Sequence, residues 1–177
     1  MYKIFEQLVK ERQSCREFND KPIDKNVLDE VVKLAMLSPS ACNSQPWKIY
    51  VVTNKEKVEQ VALCLQERGR NEFVSKAKAF IVLAEKEAKL KPDVEKMFSR
   101  DHFVKYDIGE LIAYLTLGAK AKGIDSCIIG WINRPKLKEV MNFNEGETSN
   151  IVIALGHSDI PTREKARKSK EEIVVEM

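Results

Sequence analysis

The sequence predicts an α+β domain in which helices surround a mixed sheet. Helical and strand-forming segments interleave irregularly, and only some intervals between strands are long enough for a parallel crossover. The 7 glycines and 6 prolines are scattered, so no linker divides the chain, and residues 1–177 are expected to form one domain. Apolar residues make up 44% of the chain and charged residues 32%, which is typical of a globular protein with a buried core.

Apolar residues at helical spacing predict four helices. The second should begin after Asp24, which is a good N-cap residue, and it should stop at Ser38. Its end is set by Pro39, because proline lacks the amide hydrogen and disfavours helical backbone in the residue before it. The four predicted helices cover residues 2–12, 25–38, 55–68 and 103–123.

The last of these helices is apolar on two sides. One stripe passes through Ile108 and Leu111, and a second passes through Gly109 and Ala113. A helix that is apolar on both sides is buried on both sides. In a chain this short, the pattern indicates a core helix that also meets a partner subunit.

Runs rich in β-branched and apolar residues predict four strands, at residues 47–53, 80–84, 126–132 and 151–155. A further strand-like patch spans residues 173–175, beyond a charged segment. This patch is expected to add to a sheet edge, and periodicity does not distinguish an edge of the same chain from an edge of a partner.

Charge and composition exclude several classes of protein. The formal net charge of +3 is too small to indicate nucleic-acid binding by itself. The charged start MYKIFEQLVKERQS is unlike a signal peptide, and no apolar run approaches the length of a membrane span, so a cytoplasmic protein is expected. The four cysteines form no Cys-x-x-Cys pair and only two histidines accompany them, so we expect reduced thiols and no metal site.

The common self-sufficient catalytic motifs are missing from the sequence. It contains no Gly-x-Gly-x-x-Gly after a strand, no Walker loop and no Gly-x-Ser-x-Gly elbow. Two histidines give little support to a Ser-His-Asp arrangement. A bound cofactor that carries the chemistry would explain this lack, and no catalytic side chain is assigned.

Four segments could form such a cofactor site, and each has an ordinary alternative. Arg12, Ser14 and Arg16 lie on one face if the segment is extended, and suit a phosphate, although a solvated turn has the same composition. The polar run 38–47 suits a heterocycle with mixed donors and acceptors, but it also fits an ordinary loop. Gly130, expected inside a strand, allows close approach to the backbone, or else it marks a bulge or a packing requirement. The basic run 162–170 could be a solvated tail.

Together these segments resemble the nitroreductase family of FMN enzymes. The resemblance covers nearly the whole chain and rests on RQSCREF at 12–18, SPSACNSQPWKIYVV at 38–52, KGIDSCIIGW at 122–131 and EKARKSKEEIV at 164–174. It implies a mixed, mainly antiparallel sheet and a homodimer. The long central helix would lie at the dimer interface, FMN would bind between the subunits, and the tail from about residue 160 to 177 would embrace the partner.

The resemblance also implies which residues bind FMN. The segment after the first helix should hold the phosphate, the ribityl chain and the pyrimidine edge, with Arg16 nearest N1 and O2, where a cation raises the reduction potential. The polar run should approach the same flavin from the other subunit, the 129–130 backbone should lie near N5, and the basic tail should close on the phosphate. The full set of cofactor-binding residues is Arg12, Gln13, Ser14, Arg16, Pro39, Ser40, Ala41, Asn43, Asn71, Ile129, Gly130, Lys165 and Arg167.

The chain departs from longer bacterial members of this family in two respects. Those members have an acidic residue where Gly130 stands, and a long insertion after the middle strand covers their active site. The resemblance implies NADH or NADPH as donor and a nitroaromatic or quinone as acceptor. Reductive dehalogenation, flavin fragmentation and peptide-ring oxidation stay open, as does a flavin-binding module without turnover. Cys15 and Cys42 fall inside the expected site, where a redox thiol or a spectator cysteine would fit.

Overall fold

A four-stranded antiparallel sheet forms the centre of the protein, in a computed structural model that describes residues 1–177. The strands are β1 (Trp47–Val52), β2 (Ala79–Glu85), β3 (Asp125–Ile129) and β4 (Thr148–Gly156), and they lie in the order β1-β2-β4-β3. All three strand pairs are antiparallel. The sequence predicted a mixed sheet. The parallel pairing in the structure is one isolated bridge between Ser14 and Ser126, at the outer strand β3.

Seven α-helices surround the sheet, and short 3-10 turns lie at Ala41–Asn43 and Glu72–Lys76. Asp24 caps α2 as predicted, because its Oδ1 accepts a hydrogen bond from the Asn26 amide at 2.8 Å. No helix is both long enough and apolar enough to cross a membrane. The helices are α1 (Tyr2–Glu11), α2 (Lys25–Ala35), α3 (Lys55–Leu65), α4 (Pro92–Glu95), α5 (Val104–Ala121), α6 (Arg134–Met141) and α7 (Lys170–Ile173).

The central strand β2 separates two hydrophobic cores. Its residues alternate, so that Phe80 and Val82 pack with α3 and α6 on one face, while Ile81 and Leu83 pack with α2 and α5 on the other. All four side chains are fully buried. Burial on both faces explains why this strand reads as the continuous apolar run FIVLA rather than as an alternating one.

Four expectations from the sequence are corrected. The helix expected at 25–38 ends at Ala35. The patch at 173–175 forms no strand, since Ile173 ends α7 and Val174 follows it as an extended cap. The strand expected at 126–132 stops at Ile129, which leaves Gly130 outside the sheet. The helix expected at 55–68 ends at Leu65, because the backbone leaves helical geometry at Gln66.

Helix α5 is buried on one side only within the chain. The stripe through Ile108 and Leu111 packs in the core, whereas Gly109 and Ala113 of the second stripe are exposed. The second apolar stripe is therefore only partly covered by its own chain, since Leu117 is half-buried beside α1.

Candidate functional site

A cavity of about 320 Å³ lies between the segment that follows α1 and the C-terminal tail. Two groups of residues that are about 150 positions apart in sequence line it together. They are Arg12, Gln13, Ser14, Arg16, Arg163, Glu164, Lys165, Ala166 and Arg167. Six of the nine were expected in the cofactor site from the sequence.

The segment after α1 is extended, which is the condition under which its alternating residues share one face. Arg12 leaves helical geometry at φ −62° and ψ 117°, and the Cys15 amide donates to the Ser126 carbonyl at 2.9 Å. Gln13 and Cys15 are buried, whereas Arg12, Ser14 and Arg16 lie on the accessible side. Pairing with β3 therefore directs both guanidiniums and the hydroxyl toward the same side.

Gln13 fastens the tail to this segment. Its Oε1 accepts hydrogen bonds from the Arg163 amide at 3.1 Å and from the Arg163 Nε at 3.3 Å, and its Nε2 donates to the Pro161 carbonyl at 3.2 Å. Arg163 Nη2 also donates to the Ser14 carbonyl at 2.9 Å. The Gln13 side chain is thus engaged within the protein, and its role is to shape the cavity.

Arg163 is a site residue that the sequence analysis missed. The signal was present, since Arg163, Lys165 and Arg167 alternate in the same way as the residues after α1. Only the last two were selected, because the resemblance to the family pointed to them.

Lys165 anchors the tail to the end of α1. Its ammonium donates to the carbonyl oxygens of Val9 at 2.6 Å and of Arg12 at 2.5 Å, which are groups that a helix end leaves unpaired. Burial lowers the pKa of Lys165, and the neighbouring charges of Arg12 and Arg167 lower it further. Lys165 therefore lies in a positive environment that lacks its counter-charge.

The charge balance of this cavity suits an anion. Its five cationic side chains take part in none of the ten ion pairs of the protein, and Glu164 pairs with none of them. Guanidinium groups match the oxygens of a phosphate in geometry and charge. The residues present thus fit the phosphate end of a nucleotide such as FMN. The five cations are Arg12, Arg16, Arg163, Lys165 and Arg167.

The polar run at 38–47 forms a compact turn that does not line this cavity. Ser40 Oγ accepts a hydrogen bond from the Gln45 amide at 2.9 Å, and Gln45 Nε2 donates to Asn43 Oδ1 at 3.1 Å. The Ala41 amide donates to Asp107 Oδ1 at 3.1 Å, which joins the turn to α5. The structure therefore separates Pro39, Ser40, Ala41 and Asn43 from the cationic residues of the same chain.

The segment after β3 is open on the side of Gly130. Ile129 is buried at the end of the strand, while Gly130 is exposed. A Cβ atom at Gly130 would lie 3.8 Å from both the Asn150 carbonyl oxygen and Ile151 Cδ1, which are ordinary contacts. Packing within the chain therefore does not require glycine here, which rules out a packing requirement as the reason for Gly130.

Asn71 does not line the cavity either. It has left-handed backbone at φ 56°, and its Nδ2 donates to the Leu65 carbonyl at 3.2 Å, close to the end of α3. The neighbouring Arg70 guanidinium lies 4.6 Å from the centroid of the Trp131 ring. This contact ties the Asn71 segment to the chain that leaves β3.

All four cysteines are free, and they occupy different environments. Cys15 and Cys127 are buried beneath the cavity, and burial raises the pKa of the Cys127 thiol. Cys42 is exposed in the polar turn. A buried thiol with a raised pKa is a poor nucleophile, which favours a spectator role for Cys127.

A helix-covered antiparallel sheet thus carries a cavity whose cations suit a bound anion. The chain belongs to the nitroreductase family, since a sequence model of that family matches residues 9–157. This confirms the resemblance seen in the sequence and makes the protein an oxidoreductase of the nitroreductase type.

Three known proteins illustrate the similarity. The chain is 27% identical over 195 residues to the oxygen-insensitive NADPH nitroreductase of Helicobacter pylori, covering 93% of this chain and 92% of that protein. A nitroreductase family protein from Streptococcus pneumoniae superposes with a TM-score of 0.86 at 25% identity, over 98% of this chain and 100% of the other. An FMN-dependent nitroreductase from Clostridium difficile gives a TM-score of 0.71 at 25% identity, over 94% and 92%. The predicted fold class is therefore confirmed.

Proposed function

We propose that the protein is an FMN-dependent oxidoreductase that acts as a homodimer and takes electrons from NADH or NADPH. The cavity with five unpaired cations is the observation that carries the proposal, because a phosphate is the group that would balance it. The FMN-dependent relative from Clostridium difficile supports the choice of cofactor, and the NADPH nitroreductase of Helicobacter pylori supports the choice of donor.

Within this proposal the two sides of the cavity form a clamp. Arg12 and Arg16 bind the flavin from the segment after α1, and Arg163 and Arg167 approach the phosphate from the tail. Lys165 has three N–H donors and uses two of them on backbone carbonyls, so one donor is available for a phosphate oxygen. The clamp closes only while the tail is anchored.

The second half of the site comes from another copy of the chain. An apolar groove of about 510 Å³ runs between α1, α2 and α5, where Phe5, Leu34 and Tyr114 are 54%, 47% and 40% exposed. An exposed apolar surface of this kind marks an interaction site. Pairing of two α5 helices would cover the second apolar stripe. It would also bring the turn at 39–43 of one subunit to the cationic cavity of the other.

When bound, FMN supplies hydride transfer through N5, in a ping-pong cycle from the nicotinamide to a small acceptor such as a nitroaromatic or a quinone. The chain's own groups bind and orient the cofactor. The backbone of Ile129 and Gly130 would lie near N5, and the missing side chain at Gly130 would leave room for the ring. Arg16 would place a positive charge at the pyrimidine edge, which favours reduction.

Absorption spectroscopy tests this proposal. The purified protein should be yellow with bound FMN, and the flavin band should bleach when NADH or NADPH is added without oxygen. Acceptors then define the activity: nitroaromatics and quinones should reoxidise the flavin, while reoxidation by haloaromatics alone would indicate dehalogenation. Bound flavin that neither nucleotide reduces would leave a binding module without turnover, and a protein without flavin would refute the proposal.

The assignment of Arg16 has its own test. Arg16→Ala should weaken FMN binding about tenfold or more, as expected for the loss of one charged contact. Lys33→Ala removes one positive charge from an exposed ion pair with Asp29 on α2 and serves as the control. An Arg16→Ala protein that matches the control in flavin affinity and reduction rate would refute this assignment.

A further inference from the structure

The Oδ2 atom of Asp107 is a buried side-chain oxygen that lacks a hydrogen-bond partner. The residue lies in the first turn of α5 and is 5% exposed. Its Oδ1 accepts the hydrogen bond from the Ala41 amide, whereas no donor reaches Oδ2. A buried carboxylate with one unpaired oxygen carries a desolvation cost, which its place in the first turn of α5 offsets only in part.

The turn that Asp107 contacts has a demanding backbone. Cys42, Asn43 and Gln45 have φ angles of 54°, 52° and 47°, a region that residues other than glycine seldom occupy. All three are exposed, so core packing does not hold them in place. Hydrogen bonds within the turn, such as that from the Gln45 amide to Ser40 Oγ, and contacts with neighbouring elements together hold such a conformation in place.

Three hydrogen bonds connect this turn to other elements. They run from the Ala41 amide to Asp107, from the Lys89 amide to Ser44 Oγ at 2.6 Å, and from the Lys86 amide to the Pro46 carbonyl at 3.0 Å. The Lys86 and Lys89 bonds come from the loop after β2 and involve backbone donors. Asp107 is therefore the side chain from another element that holds the turn.

We propose that Asp107 is a positioning residue of the cofactor site. Its bond to Ala41 holds the turn at 40–45 in the conformation that meets the flavin across the subunit interface. The proposal rests on the proposed function, since it takes this turn to be the partner's contribution to FMN binding. Asp107 itself does not touch the cofactor and acts through Ala41.

This role predicts that replacing Asp107 lowers the affinity for FMN without lowering the stability of the fold. Leucine at position 107 would remove the buried unpaired oxygen and place an apolar side chain beside the core residues Val104 and Ile108. Ala41 is half-buried and its neighbours Cys42 and Asn43 are exposed, so we expect water to reach the Ala41 amide when the carboxylate is gone. The folded chain should tolerate the change, while the turn should lose its conformation.

The test compares Asp107→Leu, Asp107→Asn and the control Thr116→Val. Asparagine keeps an oxygen that can accept from the Ala41 amide. Thr116 is equally buried in α5, but its hydroxyl donates to the Ile112 carbonyl of its own helix at 2.9 Å and does not reach the turn. The readouts are the melting temperature of the flavin-free protein and the Kd for FMN. The mobility of a fluorine label on Cys42, the one exposed cysteine, reports on the turn.

We expect Asp107→Leu to raise the Kd for FMN about tenfold or more. Its melting temperature without flavin should stay within about 2 °C of wild type or rise. The label on Cys42 should become more mobile in this variant alone, and Asp107→Asn should restore the affinity to within about threefold.

Three results would overturn the proposal. They are an unchanged Kd in Asp107→Leu, an asparagine variant as weak as the leucine variant, and a leucine variant that unfolds or loses melting temperature in step with affinity. Failure of the wild-type protein to bind FMN refutes the proposed function instead. Wild-type binding combined with any of these three results refutes only the role of Asp107.

Discussion

The Lys165 ammonium lies 2.5 Å from the carbonyl oxygen of Arg12, although the two residues are 153 positions apart in the chain. This bond ties the C-terminal tail to the end of α1, and it brings the side chains of Arg163 and Arg167 to the cavity. The helix end gains a partner for its unpaired carbonyls, and the tail gains a fixed position.

Removing this anchor should open the clamp. Lys165→Met keeps most of the aliphatic stem and loses the donors, so residues beyond 160 should become sensitive to limited proteolysis. FMN affinity should fall about tenfold, because both the third donor and the placement of the tail arginines are lost. Lys170→Met is the control, since Lys170 pairs only with Glu176 in the same exposed tail. Equal proteolysis in the two variants would contradict the anchoring role.

Glu147 should control the acid stability of the fold. Its carboxylate is buried, which alone would raise its pKa, but hydrogen bonds from Tyr50 at 2.6 Å and from Asn144 at 3.1 Å outweigh burial and lower the pKa to about 2. A carboxyl group whose pKa is lower in the folded state stabilises the fold above its unfolded pKa. That contribution is lost as the pH falls from the unfolded value, about 4.3, toward 2.

The matching variant is Glu147→Gln. Loss of a charged hydrogen-bond acceptor costs about 1.5–3 kcal/mol, which lowers the melting temperature by about 3–12 °C at neutral pH for a chain of this size. The difference between the two proteins should shrink as the pH is lowered from 4.5 to 2, as measured by circular dichroism. A constant difference over this range would show that the Glu147 carboxylate does not titrate as described.

The melting temperature should respond differently to alanine at two glycine positions. A Cβ at Gly156 would lie 2.6 Å from Phe18 Cδ1, so Gly156→Ala should lower the melting temperature sharply, since a buried ring must move. A Cβ at Gly130 meets only ordinary contacts, so Gly130→Ala should leave the flavin-free melting temperature unchanged. If the flavin ring approaches this backbone, Gly130→Ala should still weaken FMN binding or slow flavin reduction. If Gly130→Ala changes neither FMN binding nor flavin reduction, Gly130 is not a cofactor-binding residue.

The exposed apolar groove should decide the oligomeric state. Leu34→Glu places a charge in this groove and should convert a dimer into a monomer, as measured by sedimentation velocity. Leu63→Glu is the matched control, because Leu63 on α3 is exposed to a similar extent, 54% against 47%, and lies outside the groove. The monomer should also lose FMN, since half of the proposed site belongs to the partner. A monomeric wild type, or a dimeric Leu34→Glu protein, would contradict this interface.

Local patterns in the sequence determined most of the secondary structure. The N-cap at Asp24, the apolar stripe through Ile108 and Leu111, and the buried run at 80–84 each reflect an interaction within a few residues or the period of one element. The same local logic showed that Arg12, Ser14 and Arg16 would share one side of an extended segment, but it left a solvated turn open. The family was also recognisable from the sequence, because each of its motifs is a contiguous run of residues.

Only the tertiary structure determined which residues far apart in the sequence interact. The roles of Gln13 and Arg163 follow from hydrogen bonds across about 150 positions, and that of Asp107 from a bond to a turn 66 positions earlier. No local pattern encodes such bonds, because they depend on which elements the sheet brings together. The patch at 173–175 shows the reverse case: β-forming residues stayed out of the sheet because β-propensity describes how a side chain packs on a neighbouring strand, and no strand of this chain adjoins them.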